Sequence, residues 1–240
     1  MADSETLLHR IAAYDWPAVC ADLDGRGWAL LPKLLSKSAC DAVAALYAEE
    51  ARFRKTVVMA RHGYGLGAYR YFDYPLPDPV ARLRGALYPH LAPLANRWAA
   101  RLRQDISFPP EHAAFLERCH AAGQKRATPL ILDYAEGGYN CLHQDLYGEH
   151  VFPLQAAVLL DQPGKDFEGG EFVLTEQRPR RQSRAQVVPL AKGDAVVFAV
   201  NHRPAEGKRG AYRVAMRHGV SELRAGHRRT LGIIFHDAKS

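Results

Sequence analysis

Leu130-Ile131-Leu132-Asp133-Tyr134-Ala135-Glu136-Gly137-Gly138-Tyr139-Asn140-Cys141-Leu142-His143-Gln144-Asp145 is the stretch that decides the fold. The apolar run Leu130 to Leu132 reads as a strand, and Glu136-Gly137-Gly138 reads as a turn. His143-Gln144-Asp145 then begins a second extended segment. Residues i and i+2 of a strand share a face, so His143 and Asp145 project together and Gln144 points away. By itself the tripeptide reads as a surface strand with a satisfied histidine. A metal site needs a third ligand, which His218 in Arg217-His218-Gly219-Val220-Ser221 offers, although by itself it too reads as a structural histidine. Two imidazoles and one carboxylate can hold a divalent metal and leave coordination positions open for other ligands.

Tyr134, Gly137, His143, Asp145, His218 and Arg228 keep an order and spacing that resemble the Fe(II)/2-oxoglutarate-dependent oxygenases. The resemblance runs from about Leu130 to Phe235. Tyr134-x-x-Gly137 followed by Leu142-His143-Gln144-Asp145 looks most like the AlkB-type nucleic-acid dealkylases. The Tyr134-to-His143 spacing also fits prolyl hydroxylases, and the whole chain resembles a bacterial branch labelled as oxygenase of damaged nucleic acid. The resemblance implies that His143, Asp145 and His218 bind Fe(II) and carry catalysis, with 2-oxoglutarate and O2 as cosubstrates. It places Arg228, with the Tyr134 hydroxyl, on the distal carboxylate of 2-oxoglutarate. A guanidinium suits that role because it binds a carboxylate bidentately and keeps its charge. Arg229 is expected on the opposite face.

The AlkB-type pattern Arg-x-Asn-x-Thr-x-Arg is only partly present, with Thr230, Gly232 and Ile234 after Arg228, and Leu132 stands where that group carries Asn. Three readings therefore stay open. They are oxidative dealkylation of alkylated DNA or RNA bases, hydroxylation of a protein (prolyl-type) or small molecule, and a metal-binding jelly roll without turnover.

The remaining sequence bounds these readings. The 240 residues are 48% apolar, which is ordinary for a globular core. No apolar stretch is long enough to span a bilayer, and Met1-Ala-Asp-Ser-Glu lacks the basic and apolar regions of a secretory signal. Cys20, Cys40, Cys119 and Cys141 are scattered without a C-x-x-C pair, which fits free thiols in a cytoplasmic protein. Net charge is +6, and between Arg178 and Arg229 thirteen Lys/Arg face three Asp/Glu. Such an excess suits a polyanion, single-stranded or damaged nucleic acid included, or is simply a solvated basic surface. No partner membrane is expected, and the oligomeric state is not legible.

Upstream, a helix is expected over residues 4–14, a second begins at Asp15-Trp16-Pro17 and ends at Gly25-Arg26-Gly27, and Trp28 to Pro32 reads as a strand. Ser36 or Ser38 caps a longer helix that reaches Glu49-Glu50, residues 79–104 read as one or two helices, and residues 111–120 read as a further helix. Residues 52–79 interleave basic and aromatic side chains around Gly63, Gly65 and Gly67. They read as an aromatic strand packed on the barrel or as a substrate lid, with Arg61, Tyr69, Arg70 and Tyr71 as candidate substrate residues. Residues 201–217 read as a basic loop approaching the metal face, adding Arg209 and Arg213. After Leu154–Leu160, the Gly169-Gly170-Glu171 corner and later apolar runs bring the strands in 130–236 to about seven or eight. The expected fold is α+β, a double-stranded β-helix (jelly roll) with flanking N-terminal helices. One oxygenase domain spans 1–240, with helical support and lid in 1–128 and the catalytic core in 129–240.

Overall fold

A computed structural model describes residues 2–208 and 210–239. Its elements run α1 (Ala2–Ala12), α2 (Trp16–Arg26), β1 (Trp28–Leu31), α3 (Lys37–Ala45), β2 (Phe53–Val58), β3 (Gly65–Leu66), β4 (Ala68–Phe72), α4 (Asp78–Arg101) and α5 (His112–Ala121). Then follow β5 (Leu130–Ala135), β6 (Tyr139–His143), β7 (Leu154–Leu159), β8 (Phe167–Gly169), β9 (Phe172–Gln177), β10 (Arg184–Val188), β11 (Ala195–Ala199), β12 (His202–Gly207), β13 (Gly210–Val220) and β14 (Leu223–Ile234). Short 3-10 turns fill 46–48, 50–52 and 59–62.

The strands form two facing sheets, the jelly roll expected from the sequence. The major sheet has the order β1-β11-β7-β14-β5-β4-β2, with β8 on β14. The minor sheet has the order β10-β9-β13-β6-β3, with β12 on β13. Trp28, Phe172, Leu174, Val196 and Phe198 fill part of the space between them. The other face of the major sheet is covered by α4. Its Leu83, Leu87, Leu91, Leu94 and Trp98 recur at helical spacing and are buried. They pack into one core with Leu154, Ala156 and Val158 of β7 and Leu231 and Ile233 of β14. β7 is therefore buried on both faces, which explains its unbroken apolar run.

Local chemistry sets the helix ends. Asp15 accepts from the Ala18 amide, Pro17 sits in the first turn of α2, and Gly27 ends it with φ of 82°. Ser36, not Ser38, caps α3. That helix is shorter than the sequence suggested. It ends at Ala45 and tightens into 3-10 turns before β2, a strand that the sequence did not announce.

Two further expectations are corrected. The second segment of the organising stretch starts at Tyr139 and ends at His143. Gln144 then turns away to donate to the Asn201 and Met216 carbonyls. Residues 201–217 are not a loop: β12 and β13 pair from His202↔Ala215 to Gly207↔Gly210.

Candidate metal and cosubstrate site

Pairing between β6 and β13 puts His143 directly opposite His218. The two rings lie 4.2 Å apart, centre to centre. Asp145, two residues beyond His143, reaches both: its Oδ1 is 3.5 Å from His143 Nε2 and its Oδ2 is 3.4 Å from His218 Nε2. One ligand atom from each residue falls within 4.8 Å of the others. His143 Nδ1 donates to the Cys141 carbonyl at 2.7 Å, because a carbonyl can only accept. This leaves the Nε2 lone pair facing Asp145. Phe198 and Phe172 wall in the His218 ring, at centroid distances of 4.6 and 6.0 Å.

Burial by itself raises the Asp145 carboxyl. The hydrogen bond and charge of His218, the charge of His143 and the Tyr147 hydroxyl outweigh it and hold the group well below the usual carboxylate range. Burial pushes the His218 imidazole down, with the neighbouring His143 acting in the same direction. An ionised carboxylate beside a neutral imidazole is the state that binds a metal. Tyr147 donates to Asp145 Oδ1 at 2.7 Å, and Tyr71 donates to Tyr147 at 3.1 Å. Burial drives both phenols far above their ordinary values, so both remain donors. Metal ligands are commonly oriented by such outer hydrogen bonds.

A cavity of about 420 Å³ opens from this triad. Arg228 and Tyr134 line it too, placed opposite each other by the pairing of β14 with β5. Arg228 is 1% exposed. Its Nη1 donates to Thr230 Oγ1 at 2.8 Å, its Nε has no partner, and no carboxylate forms a salt bridge with it among the described residues. Burial therefore pushes its pKa down. Gly170 keeps the space beside its stem clear, since a Cβ there would come within 3.0 Å of Arg228 Cδ. Arg229 faces the other way and forms an ion pair with Asp161 at 2.8 Å. A buried guanidinium with no anion, sharing a cavity with two imidazoles and a carboxylate, is a site for an anionic ligand that can also reach a metal. The donor set fits Fe(II) and 2-oxoglutarate.

The other candidates are distributed unevenly. Tyr69 and Tyr71 line the cavity, and burial pushes the Tyr69 phenol up to about 12. Arg70 is on the opposite face of β4. It donates to the Tyr47 carbonyl at 2.7 Å and lies over the Tyr47 ring, so it is not available to the cavity. Arg61 is exposed on a 3-10 turn outside the cavity wall. Along β13, Val214, Met216 and His218 are buried while Arg213 and Arg217 are exposed, which puts Arg213 outside the cavity. Arg203, expected in the basic loop, is buried and tied to Glu176 at 2.8 Å. Arg209 lies outside the described residues. The sequence reading missed Tyr147, Thr230 and Asn140, whose Nδ2 donates to the Tyr134 hydroxyl at 3.3 Å. Tyr147 stands two residues after Asp145, and only that proximity marked it.

Comparison with known proteins follows the same line. A prolyl 4-hydroxylase of Pseudomonas putida superposes with a TM-score of 0.52 at 17% identity, over 90% of this chain and 96% of that one. A 2OG-Fe(II) oxygenase family oxidoreductase of Burkholderia pseudomallei gives 0.53 at 17% identity, over 94% and 93%. The non-heme alpha-ketoglutarate-dependent epimerase SnoN of nogalamycin biosynthesis gives 0.54 at 16% identity, over 90% and 81%. Uncharacterised proteins from two Mycobacterium tuberculosis strains, CDC 1551 / Oshkosh and H37Rv, are each 44% identical over 196 residues. The match covers 80% of this chain and 84% of each relative. The chain shares its jelly-roll fold with these 2OG-Fe(II) oxygenases, and its His143, Asp145 and His218 form a group that could hold a metal ion. The chain belongs to the Oxygenase-NA family, described as "Oxygenase, catalysing oxidative methylation of damaged DNA", whose model matches residues 67–238.

Proposed function

We propose that this enzyme oxidatively dealkylates alkylated bases of DNA or RNA. His143, Asp145 and His218 hold the iron, and Arg228 with Tyr134 and Thr230 takes the distal carboxylate of 2-oxoglutarate. The single observation that carries the cosubstrate assignment is Arg228, a buried cation that lines the triad's own cavity and forms no salt bridge among the described residues. We take the chain as one oxygenase domain, with residues 1–128 supporting the jelly roll.

Iron and 2-oxoglutarate, when bound with O2, supply an oxidant that breaks a C–H bond while 2-oxoglutarate is converted to succinate and CO2. The protein orders and encloses. Asp145 stays ionised through its hydrogen bonds to Tyr147 and His218, and Phe172 and Phe198 screen the His218 side from water. Tyr64, Tyr69 and Tyr71 give the cavity an aromatic wall that suits a flat base. Hydroxylation of an N-methyl group gives an N-hydroxymethyl group. This loses formaldehyde and restores the N–H.

Support for a nucleic-acid substrate comes from the family description, the aromatic wall and the basic balance of the chain. The test is turnover on a panel of methylated single-stranded DNA, methylated RNA and proline-rich peptides, read by mass spectrometry. Loss of a methyl mass from the nucleic acids is expected. A gain of one oxygen on the peptides, with the nucleic acids unchanged, would replace dealkylation by hydroxylation.

A further inference from the structure

Beside the main cavity lies a smaller depression of about 170 Å³. The two share Tyr64, Tyr69, Tyr71 and Tyr147 as a common wall. The far side of the depression is cationic: Arg54, Lys55 and His62 line it, and no carboxylate does among the described residues.

The backbone puts these cations there. β2 pairs with β4 as Phe53↔Phe72 and then Lys55↔Tyr71, so Arg54 is one residue too many. Such a bulge re-aims side chains that regular alternation would separate. Phe53 stays on the outer face, stacked on Phe72 at 4.6 Å. Lys55 and Val57 share the cavity face with Tyr71 and Tyr69. Arg54 joins them, with its Cζ 4.7 Å from the Tyr71 ring centre and its Nε bonded to the Ala127 carbonyl at 2.8 Å. Across the mouth, His62 stacks on the exposed Tyr64 at 5.3 Å. The guanidinium is thus fixed by one bond and one ring, and an exposed lysine stands next to it.

We propose that this depression is a phosphate subsite: Arg54 and Lys55 bind the phosphate of the nucleotide whose base enters the iron cavity. This rests on the nucleic-acid reading of the main site and extends it. A base held against the shared tyrosine wall has its sugar and phosphate leading outward, and the depression is the adjoining cationic space. It also relocates the basic contact from Arg70 and Arg213, which face elsewhere, to a pair brought together by the bulge.

The test is direct binding to the enzyme loaded with 2-oxoglutarate and Mn(II), which replaces iron to prevent turnover. Calorimetry compares adenosine, adenosine 5′-monophosphate and a single-stranded triadenylate. The monophosphate should bind at least about tenfold more tightly than adenosine. Lys55→Ala and Arg54→Gln should each remove most of that advantage and leave adenosine binding within about twofold. Lys55 is exposed, so its variant keeps the fold, which circular dichroism checks. A triadenylate tighter than the monophosphate identifies a strand as the source of the phosphate, and the reverse identifies a free nucleotide. Equal binding of adenosine and its monophosphate, or variants that keep the full difference, would overturn the subsite. Phosphate-dependent binding without formaldehyde release from any methylated nucleic acid would instead overturn the dealkylation reading and leave the subsite standing.

Discussion

Replacing Arg228 with Met separates function from stability in opposite directions. The guanidinium is buried, bonded to a neutral Thr230 hydroxyl, and forms no salt bridge with a carboxylate among the described residues. An uncompensated buried charge destabilises a fold, and an apolar chain of similar volume relieves that cost. Arg228→Met should therefore melt at or above the wild-type temperature. On the proposed assignment, the same change removes the cationic partner of the 2-oxoglutarate carboxylate. Deleting one partner of a buried, hydrogen-bonded charge pair costs about 2–5 kcal/mol. At about 1.4 kcal/mol per tenfold, the Kd for 2-oxoglutarate should rise from roughly thirtyfold to a few thousandfold. Arg229→Ala is the control. It leaves the buried Asp161 without its ion pair, at a cost of about 1.5–3 kcal/mol. The melting temperature should fall by roughly 3–12 °C while 2-oxoglutarate affinity stays nearly unchanged. Calorimetry with Mn(II) in place of iron reads the first quantity and a thermal melt reads the second. If Arg228→Met unfolds the protein, or Arg229→Ala is the variant that loses 2-oxoglutarate, the assignment of Arg228 is wrong.

Three other outcomes follow from the geometry. His143→Ala, Asp145→Ala and His218→Ala should each abolish Fe(II)-dependent conversion of 2-oxoglutarate with the far-ultraviolet circular dichroism retained; full turnover by any of them would break the triad. Tyr147→Phe removes the hydroxyl that donates to Asp145 and should weaken metal binding about 10–100-fold, as measured by competition with a chromogenic chelator. Unaltered affinity would make Tyr147 a packing residue. Burial pushes His112 and His236 down to about 4, below the unfolded value of about 6.5, so both are neutral in the fold and take up protons on unfolding. Their stabilisation is complete above pH of about 6.5 and is lost as pH falls toward 4, with a slope of up to about 2.7 kcal/mol per pH unit for the two protons. Urea unfolding across that range checks it, and His112→Asn should flatten the slope; a slope unchanged in the variant would contradict it.

The legible parts of the sequence were those whose chemistry is local. Asp15, Pro17 and Gly27 mark the ends of α2 by capping and by a left-handed terminus. His143 and Asp145 were placed together by an i, i+2 spacing that is local; β6 ends at His143, yet the two residues still approach each other across Gln144. What escaped depends on partners far along the chain. Arg203 looked like part of a basic surface because Glu176, 27 residues away, is what buries it. Residues 201–217 looked like a loop because their strand signal is period-2 burial overlaid with arginine and glycine, and only the β12–β13 pairing reveals it. Arg70 was grouped with Tyr69 and Tyr71 as a substrate residue, and only its packing on Tyr47 and Phe53 shows that it lies on the other face of β4. The bulge at Arg54 has no signature in Phe53-Arg54-Lys55, because an extra residue in one strand is visible only against its neighbour.

The proposed function requires that one cavity couple oxidation of 2-oxoglutarate to removal of an alkyl group from a base. The most direct measurement incubates the iron-loaded enzyme with 2-oxoglutarate and a methylated single-stranded oligonucleotide under 18O2. Succinate, formaldehyde and the restored base are then quantified together. The three should appear in equal amounts, with one 18O atom in each succinate, and none should form with His218→Ala. Labelled succinate formed at full rate, with the methylated base intact and formaldehyde absent, would contradict it.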